Sequence, residues 1–171
     1  MGDKRFRKCV IYLCVHDAEQ AMGIIINKPK PDLKLSGMLP HLGIQGDVTN
    51  DDSQILYGGP VETERGFVLH SRDYFNIDTS LPLSETLALS TSKDILTALI
   101  SDHAPKLSAL ALGYTGWHGG QLEDEIKNNG WLITNADENI IFSGDPKHKW
   151  KQALASLGIS PELLSAQAGN A

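Results

Sequence analysis

The sequence lacks every short motif that would identify a reaction. None of the GxSxG, HExxH, GxxxxGK[ST], GxGxxG or CxxC patterns occurs in the 171 residues. The six histidines include no pair four residues apart, so no helical metal site is predicted. We therefore expect no metal and no cofactor, and the absence of any catalytic motif favours a binding protein over an enzyme.

The sequence also lacks an excess of basic residues and any long apolar run. Its 15 Lys and Arg against 21 Asp and Glu give a net charge of −6, which argues against direct nucleic-acid binding through phosphate contacts. No run approaches the roughly 18 apolar residues of a membrane span. The first residues, Met1 to Arg5, do not lead into a signal peptide. These features predict a cytoplasmic protein without a membrane segment.

Cysteine is scarce, and the two cysteines cannot pair with each other. Cys9 and Cys14 lie in one apolar run with strand character. Five residues of extended chain span roughly 16 Å, whereas a disulfide needs Cα atoms within about 7 Å. Burial as small apolar residues is the simpler interpretation. A reactive thiol at Cys14 is the alternative, and it would imply a redox role.

The residues that are present predict one mixed domain. The length suits a single domain over 1–171, with a core of about 6–158 and a loosely held tail over 159–171. Strand pairs alternate with helices without strict βαβ order, which indicates an α/β domain of the α+β type with antiparallel pairing. The expected strands lie at 10–15, 21–27, 55–57, 66–70, 87–89, 107–114, 131–133 and 140–142. The expected helices lie at 92–103, from 121 to 128 or 129, and from 146 to about 158.

Several of these elements carry specific expectations. Strands 10–15 and 21–27 are apolar on both faces, so we expect a hairpin of two interior strands. Strands 131–133 and 140–142 flank a polar turn and should form a second hairpin. Residues 113–120 contain four glycines and should form a turn before the helix that is expected to begin at residue 121.

Two glycine-rich segments are the candidate binding region. Tight turns and close backbone packing explain the glycines of Tyr57–Pro60 and Gly113–Gly120 most simply. Alternatively, the two segments together form a cleft for a small molecule or a protein. The candidate surface consists of Gly58, Gly59, Pro60, His70, Trp117, Gln121 and Glu123. For His70, a hydrogen-bonded position at a strand end is favoured over a general base.

Three sets of motifs together resemble the YqgE/AlgH family of bacterial proteins. The first is YLCVH at 12–16 with AMGIIINKP at 21–29. The second is YGGPV at 57–61 with RGFVLH at 65–70. The third is LGYTGW at 112–117 with GQLE at 120–123, Glu125 and WL at 131–132. The motifs run in order from about residue 6 to residue 158, which is nearly the whole chain.

The resemblance implies a bifurcated, largely antiparallel sheet that curls into a pseudo-barrel with helices around it. It implies a bacterial protein of unknown biochemical activity that is proposed to regulate transcription, and we expect indirect action through a protein or small-molecule partner. The family usually has an apolar strand-forming segment before the position of Phe6. Either translation starts further upstream, or one edge of the sheet lacks a strand. Cys9 stands where the family more often has serine, whereas Cys14 matches the common pattern.

Overall fold

The computed structural model describes residues 3–48 and 54–167, with side chains to residue 164, and its centre is one curled sheet of seven strands. The order is β1-β2-β7-β4-β6-β5, and all of these neighbours are antiparallel, while β3 pairs with β7 in parallel. The strands are β1 (Ile11–His16), β2 (Gln20–Ile25), β3 (Leu56–Tyr57), β4 (Val61–Ser71), β5 (Ser80–Pro82), β6 (Leu87–Ser90) and β7 (Ser108–His118).

In the described part of the chain, six short α-helices and two 3-10 turns (Lys4–Phe6 and Pro40–Leu42) flank the sheet. The α-helices are α1 (Leu35–Met38), α2 (Lys93–Leu99), α3 (Gln121–Lys127), α4 (Glu138–Phe142), α5 (Pro146–Ser156) and α6 (Pro161–Gln167). Local chemistry explains where α5 begins, because the Asp145 side chain accepts a hydrogen bond from the Lys147 amide and Pro146 occupies the first helical position.

Strand β7 is the point at which the sheet divides. One of its edges pairs with β4, while β2 pairs with its residues 115–118 and β3 with its residues 111–112. Two different strands, β3 and β2, therefore pair with successive segments of the long strand β7. The predicted bifurcated, mainly antiparallel sheet with flanking helices is confirmed.

The core covers both faces of the central strands. Along β4, Val68 packs in one apolar cluster while Phe67 and Leu69 pack in the other, as the period of two in a strand requires. The first cluster joins α1 and α2 to one face, and the second joins β2, β6 and α4 to the other. Burial on both faces explains why residues 67–69 of β4 and residues 109–112 of β7 are continuously apolar.

The expectation that the first hairpin is wholly interior was wrong for β1. The hairpin itself forms, and β2 lies between β1 and β7, but β1 is the first strand of the sheet and no position in it is fully buried. A strand whose residues are apolar on both faces is expected to be packed against on both faces. That pattern does not indicate whether another strand pairs with its free edge. Leu13 of β1 is correspondingly exposed.

The second predicted hairpin was also wrong. Residues 131–137 form no strand, and residues 138–142 form helix α4. The Asp137 side chain accepts a hydrogen bond from the Asn139 amide and caps the helix, so a local polar contact overrides the strand preference of Ile140, Ile141 and Phe142.

Smaller differences concern element ends. Much of the expected glycine-rich turn belongs to β7, which continues to His118 before Gly119 and Gly120 turn the chain into α3. The helix predicted over 92–103 ends at Leu99. The tail contains α6, a helix that we did not predict, whereas residues 168–171 of the predicted loose tail lie outside the described part of the chain.

Candidate functional site

The two glycine-rich segments, 57–60 and 113–120, lie in direct backbone contact with each other. A Cβ atom on Gly58 would lie 2.2 Å from the carbonyl oxygen of Gly113, and one on Gly59 would lie 2.1 Å from the carbonyl carbon of Tyr114. The chain between β3 and β4 therefore crosses β7 at a distance that only glycine allows. Gly58 and Gly59 are buried, with Pro60 next to them. The crossing leaves no room for a ligand between the two segments.

His70 lies in the sheet, in a buried chain of hydrogen bonds. Its Nδ1 atom is 3.0 Å from the carbonyl oxygen of Ser71, so Nδ1 carries the proton. Its Nε2 atom then accepts a hydrogen bond from the Ser90 hydroxyl at 2.8 Å. Ser90 accepts in turn from Ser80 at 2.8 Å, and Ser80 accepts from the Asn76 amide at 3.1 Å. His70 is fully buried, and this burial lowers its pKa, so it is a neutral structural residue of β4.

Trp117, Gln121 and Glu123 lie together around the start of α3. Trp117 is buried against Leu122, and its Nε1 atom donates to Glu125 at 3.0 Å. Gln121 accepts from the His118 amide and donates to Glu125, both at 3.0 Å. Oε1 of Glu123 lies 2.5 Å from Nε2 of His16 in the first hairpin, a hydrogen-bond contact. His16 was missing from the sequence-based candidates, because no local pattern relates residues that lie 107 positions apart.

The Cys14 thiol is poorly suited to redox chemistry. It packs beside the cluster that contains Ile24 and Ile26, and its Sγ atom donates to the carbonyl oxygen of Tyr12 at 3.6 Å. Burial raises the pKa of Cys14 to about 12. A reactive cysteine needs a lowered pKa, because the thiolate is the nucleophile. The geometry therefore favours a packing role for Cys14.

An apolar groove opens beside β1, and of the seven candidate residues only Trp117 lines it. The groove has a volume of about 480 Å³. One wall comes from residues 8–13, another from residues 130–137, and a third from α5. We call it the β1 groove; its larger apolar side chains include Ile11, Leu13, Trp117, Leu122, Trp131, Leu132, Ile133, Trp150, Leu154 and Leu157.

Apolar side chains at the groove are open to solvent. Leu132 is 54% exposed and Ile133 is 66% exposed, although both are large and apolar. Neighbouring apolar side chains that remain exposed together are typical of interaction sites. The sequence signal for this region was the apolar run at 131–133, which we interpreted as a strand.

Trp117 and Trp131 are held in place by one carboxylate. Trp131 donates from Nε1 to Oε2 of Glu125 at 2.7 Å, and Trp117 donates to the same oxygen. The two rings meet edge to face, with centroids 5.9 Å apart. Burial alone would raise the pKa of Glu125, yet the hydrogen bonds from Trp131, Gln121 and Trp117 hold it below its ordinary value. The base of the β1 groove is therefore preorganised by an ionised Glu125.

Two further properties of the described residues bear on function. Within 3–48 and 54–167, no three His, Cys, Asp or Glu residues come together as potential metal ligands. In the same part of the chain, no helix has the length and apolar character needed to cross a bilayer.

Fold and groove together define the class, which is a single-domain α+β protein with a curled, mainly antiparallel sheet. The AlgH-like family model matches residues 1–162. The chain is 46% identical over 170 residues to a UPF0301 protein of Caulobacter vibrioides, covering 99% of this chain and 87% of that protein. It is also 46% identical over 171 residues to a UPF0301 protein of Rhodospirillum rubrum, covering 100% and 88%. The chain belongs to the AlgH-like family, whose biochemical activity is uncharacterised.

Solved structures agree with this assignment. The solution structure of the AlgH protein from Pseudomonas aeruginosa is 41% identical, with a TM-score of 0.80, over 100% of this chain and 90% of that one. A crystal structure of a protein from Corynebacterium diphtheriae has a TM-score of 0.72 over 90% of this chain and 80% of that one. At 16% identity, the second likeness shows the fold alone.

Proposed function

We propose that this protein is a cytoplasmic regulatory protein that binds an extended, apolar segment of a partner protein along β1. The observation that carries the proposal is the β1 groove, an apolar channel that lies directly beside the edge strand of the sheet. Any effect on transcription would then be indirect, because a net charge of −6 opposes binding to nucleic acid.

The edge strand offers backbone hydrogen bonds. Among the described residues, β1 pairs only with β2, so the backbone groups on its other side have no strand partner. A peptide that adds a strand to such an edge gains main-chain hydrogen bonds, while its alternate side chains enter adjacent pockets. Exposed edges otherwise invite unspecific pairing, and this edge carries no lysine within Ile11–His16 to prevent it.

The groove offers apolar contacts beside those backbone groups. Trp117 and Trp131 contribute large rings whose positions are already set by Glu125. Trp150 on α5 forms part of the opposite side, and the Lys8 ammonium lies 5.0 Å above its ring. Tryptophan is enriched among the residues that dominate binding energy, because it buries a large area with little loss of entropy. We therefore expect β-branched or leucine side chains of the partner segment to occupy the groove.

Binding of a short synthetic peptide tests the proposal. The probe is a fluorescent eight-residue peptide in which valine or leucine alternates with threonine. Ile133→Asp places a charge at the groove, and we expect it to weaken binding at least tenfold. Ile77→Asp is the matched control, because Ile77 is 85% exposed and does not line the groove. Equal binding by the two variants would contradict the proposal. A structure of a longer form of the chain in which upstream residues pair with β1 would also contradict it.

A small apolar molecule is a second candidate for the same groove. A volume of about 480 Å³ falls within the roughly 300–1,000 Å³ typical of small-molecule sites. A ligand at 100 times its Kd would raise the free energy of unfolding by about 2.7 kcal/mol, which a thermal-shift screen of metabolites detects. Peptide binding without any metabolite hit would select the first candidate.

A further inference from the structure

Lys149 is a buried cation with few partners. The residue lies on α5 and is only 4% exposed. Its Nζ atom donates to the carbonyl oxygen of Ile141 at 2.5 Å. An ammonium has three donors, so two of them lack a protein acceptor among the described residues. The ion pairs of that part of the chain do not include Lys149.

The one hydrogen bond compensates the charge only in part. Ile141 lies in the last turn of α4, where carbonyl oxygens carry partial negative charge and attract a cation. A helix of five residues has a small dipole, and a single carbonyl does not replace the water that an ammonium loses on burial. Burial accordingly lowers the pKa of Lys149.

Lys149 lines a cavity with room for a ligand. The cavity has a volume of about 650 Å³ and lies between α5, α2 and the strands β3 and β7. Its wall is mixed: polar residues such as Gln54 and Ser108 line it, and so do the apolar side chains of Leu35, Leu56, Leu99, Ile100 and Leu110. The cavity therefore places a cationic group in the same wall as apolar side chains that can contact hydrocarbon.

Among the described residues, the other charged side chains that line the cavity do not supply the missing counter-ion. Asp145 and Lys147 line it at the start of α5, and the Asp145 carboxylate accepts from the Lys147 amide at 3.0 Å. The second carboxylate oxygen lies 3.9 Å from Nδ1 of His148. Asp145 is thus engaged as the helix cap and forms no ion pair with Lys149.

We infer that this cavity binds a small organic anion, with a carboxylate or phosphate group at Lys149 Nζ and an apolar body against the leucine-lined wall. The anion supplies the acceptors that the ammonium lacks. This site is separate from the β1 groove, because the two cavities share only Ile141 in their walls. Anion binding at this cavity and peptide binding at the β1 groove can therefore be tested separately.

Calorimetric titration at constant pH tests the inference with octanoate and hexyl phosphate as probes. Octan-1-ol and hexan-1-ol are the matched uncharged probes, and we expect them to bind at least tenfold more weakly. Lys149→Met keeps the length of the side chain but removes its charge, so it should weaken binding of the anions at least tenfold. Lys151→Met is the control on the same helix, because Lys151 is exposed, and it should bind like the unaltered protein.

A measurement on the unaltered protein guards against a destabilised Lys149→Met variant. With lysine labelled at 13Cε, octanoate should shift the Lys149 resonance and leave that of Lys151 unchanged. Absence of binding by the unaltered protein, undiminished binding by Lys149→Met, or equal shifts at Lys149 and Lys151 would each overturn the inference.

Discussion

Replacement of Glu125 by alanine should be among the most destabilising polar substitutions near the β1 groove. The carboxylate accepts three hydrogen bonds, from Trp117 at 3.0 Å, Trp131 at 2.7 Å and Gln121 at 3.0 Å. Alanine removes all three and leaves two indole N–H groups beside apolar neighbours. At about 1 kcal/mol net for each bond, we expect a loss of about 3 kcal/mol in the free energy of unfolding.

Glu125→Gln separates the hydrogen bonds from the negative charge. Both indoles donate to Oε2, so a glutamine can direct its carbonyl oxygen to them and its amide nitrogen towards Gln121. Only the bond with the exposed Gln121 is then lost, and water can replace it. We expect a loss of about 1 kcal/mol, because hydrogen bonds to a neutral acceptor are weaker than those to a charged one.

Urea unfolding followed by far-UV circular dichroism measures both differences without relying on tryptophan emission. The slope of the transition should stay constant while its midpoint falls. The reasoning would be refuted if Glu125→Ala changed the free energy of unfolding by less than about 0.5 kcal/mol, the range of ordinary surface substitutions. It would also be refuted if glutamine and alanine were equally destabilising.

The pH dependence gives an independent check on Glu125. Its pKa is lowered in the folded protein, so the carboxylate stabilises the fold above its unfolded pKa of about 4.3. That contribution is lost as the pH falls through the lower pKa of the folded state. The stability difference between the unaltered protein and Glu125→Gln should therefore shrink below about pH 4.3.

Three further predictions concern the candidate residues. Gly59→Ala should lower the urea midpoint strongly or prevent folding, because its Cβ would overlap the backbone of Tyr114. His70 has a lowered pKa, so its contribution to the free energy of unfolding should fall as the pH drops below about 6.5, where the unfolded chain takes up the proton first. His70→Asn should remove that part of the pH dependence, measured by urea unfolding at pH 7.5 and 5.5. In a Cys9→Ser variant, iodoacetamide at pH 8 should alkylate Cys14 only after unfolding, as shown by mass spectrometry, because its pKa is about 12.

The first hairpin shows which structural features residue patterns can predict and which they cannot. The strands around 11–16 and 20–25 were predictable because β-branched and apolar residues fit a pleated surface and polar residues separate them. Their place in the sheet was not predictable, because pairing partners are chosen by contacts far along the chain. The same limit applies to residues 138–142, where a capping aspartate converts an apolar run into a helix.

The close packing of the glycines was predictable from the sequence, whereas the β1 groove was not. Glycines at 58 and 59 indicated a close approach, and the structure shows the approach as a crossing against Gly113 and Tyr114. Trp117 was found as a candidate, whereas Trp131 and Trp150 join it at the β1 groove only through folding. Lys149 was not among the candidates, because its sequence neighbours Lys147, His148 and Lys151 give no sign that it is buried.

By itself, the sequence determined the family, the mixed fold class and most strand positions, because these depend on local residue preferences and on motifs in order. Only the tertiary structure decided that β1 is an edge strand among the described residues, that the glycines pack against each other and that Lys149 is buried beside a cavity. Those properties depend on which distant segments come into contact. Contacts between distant segments set burial, and burial sets the chemistry of each side chain.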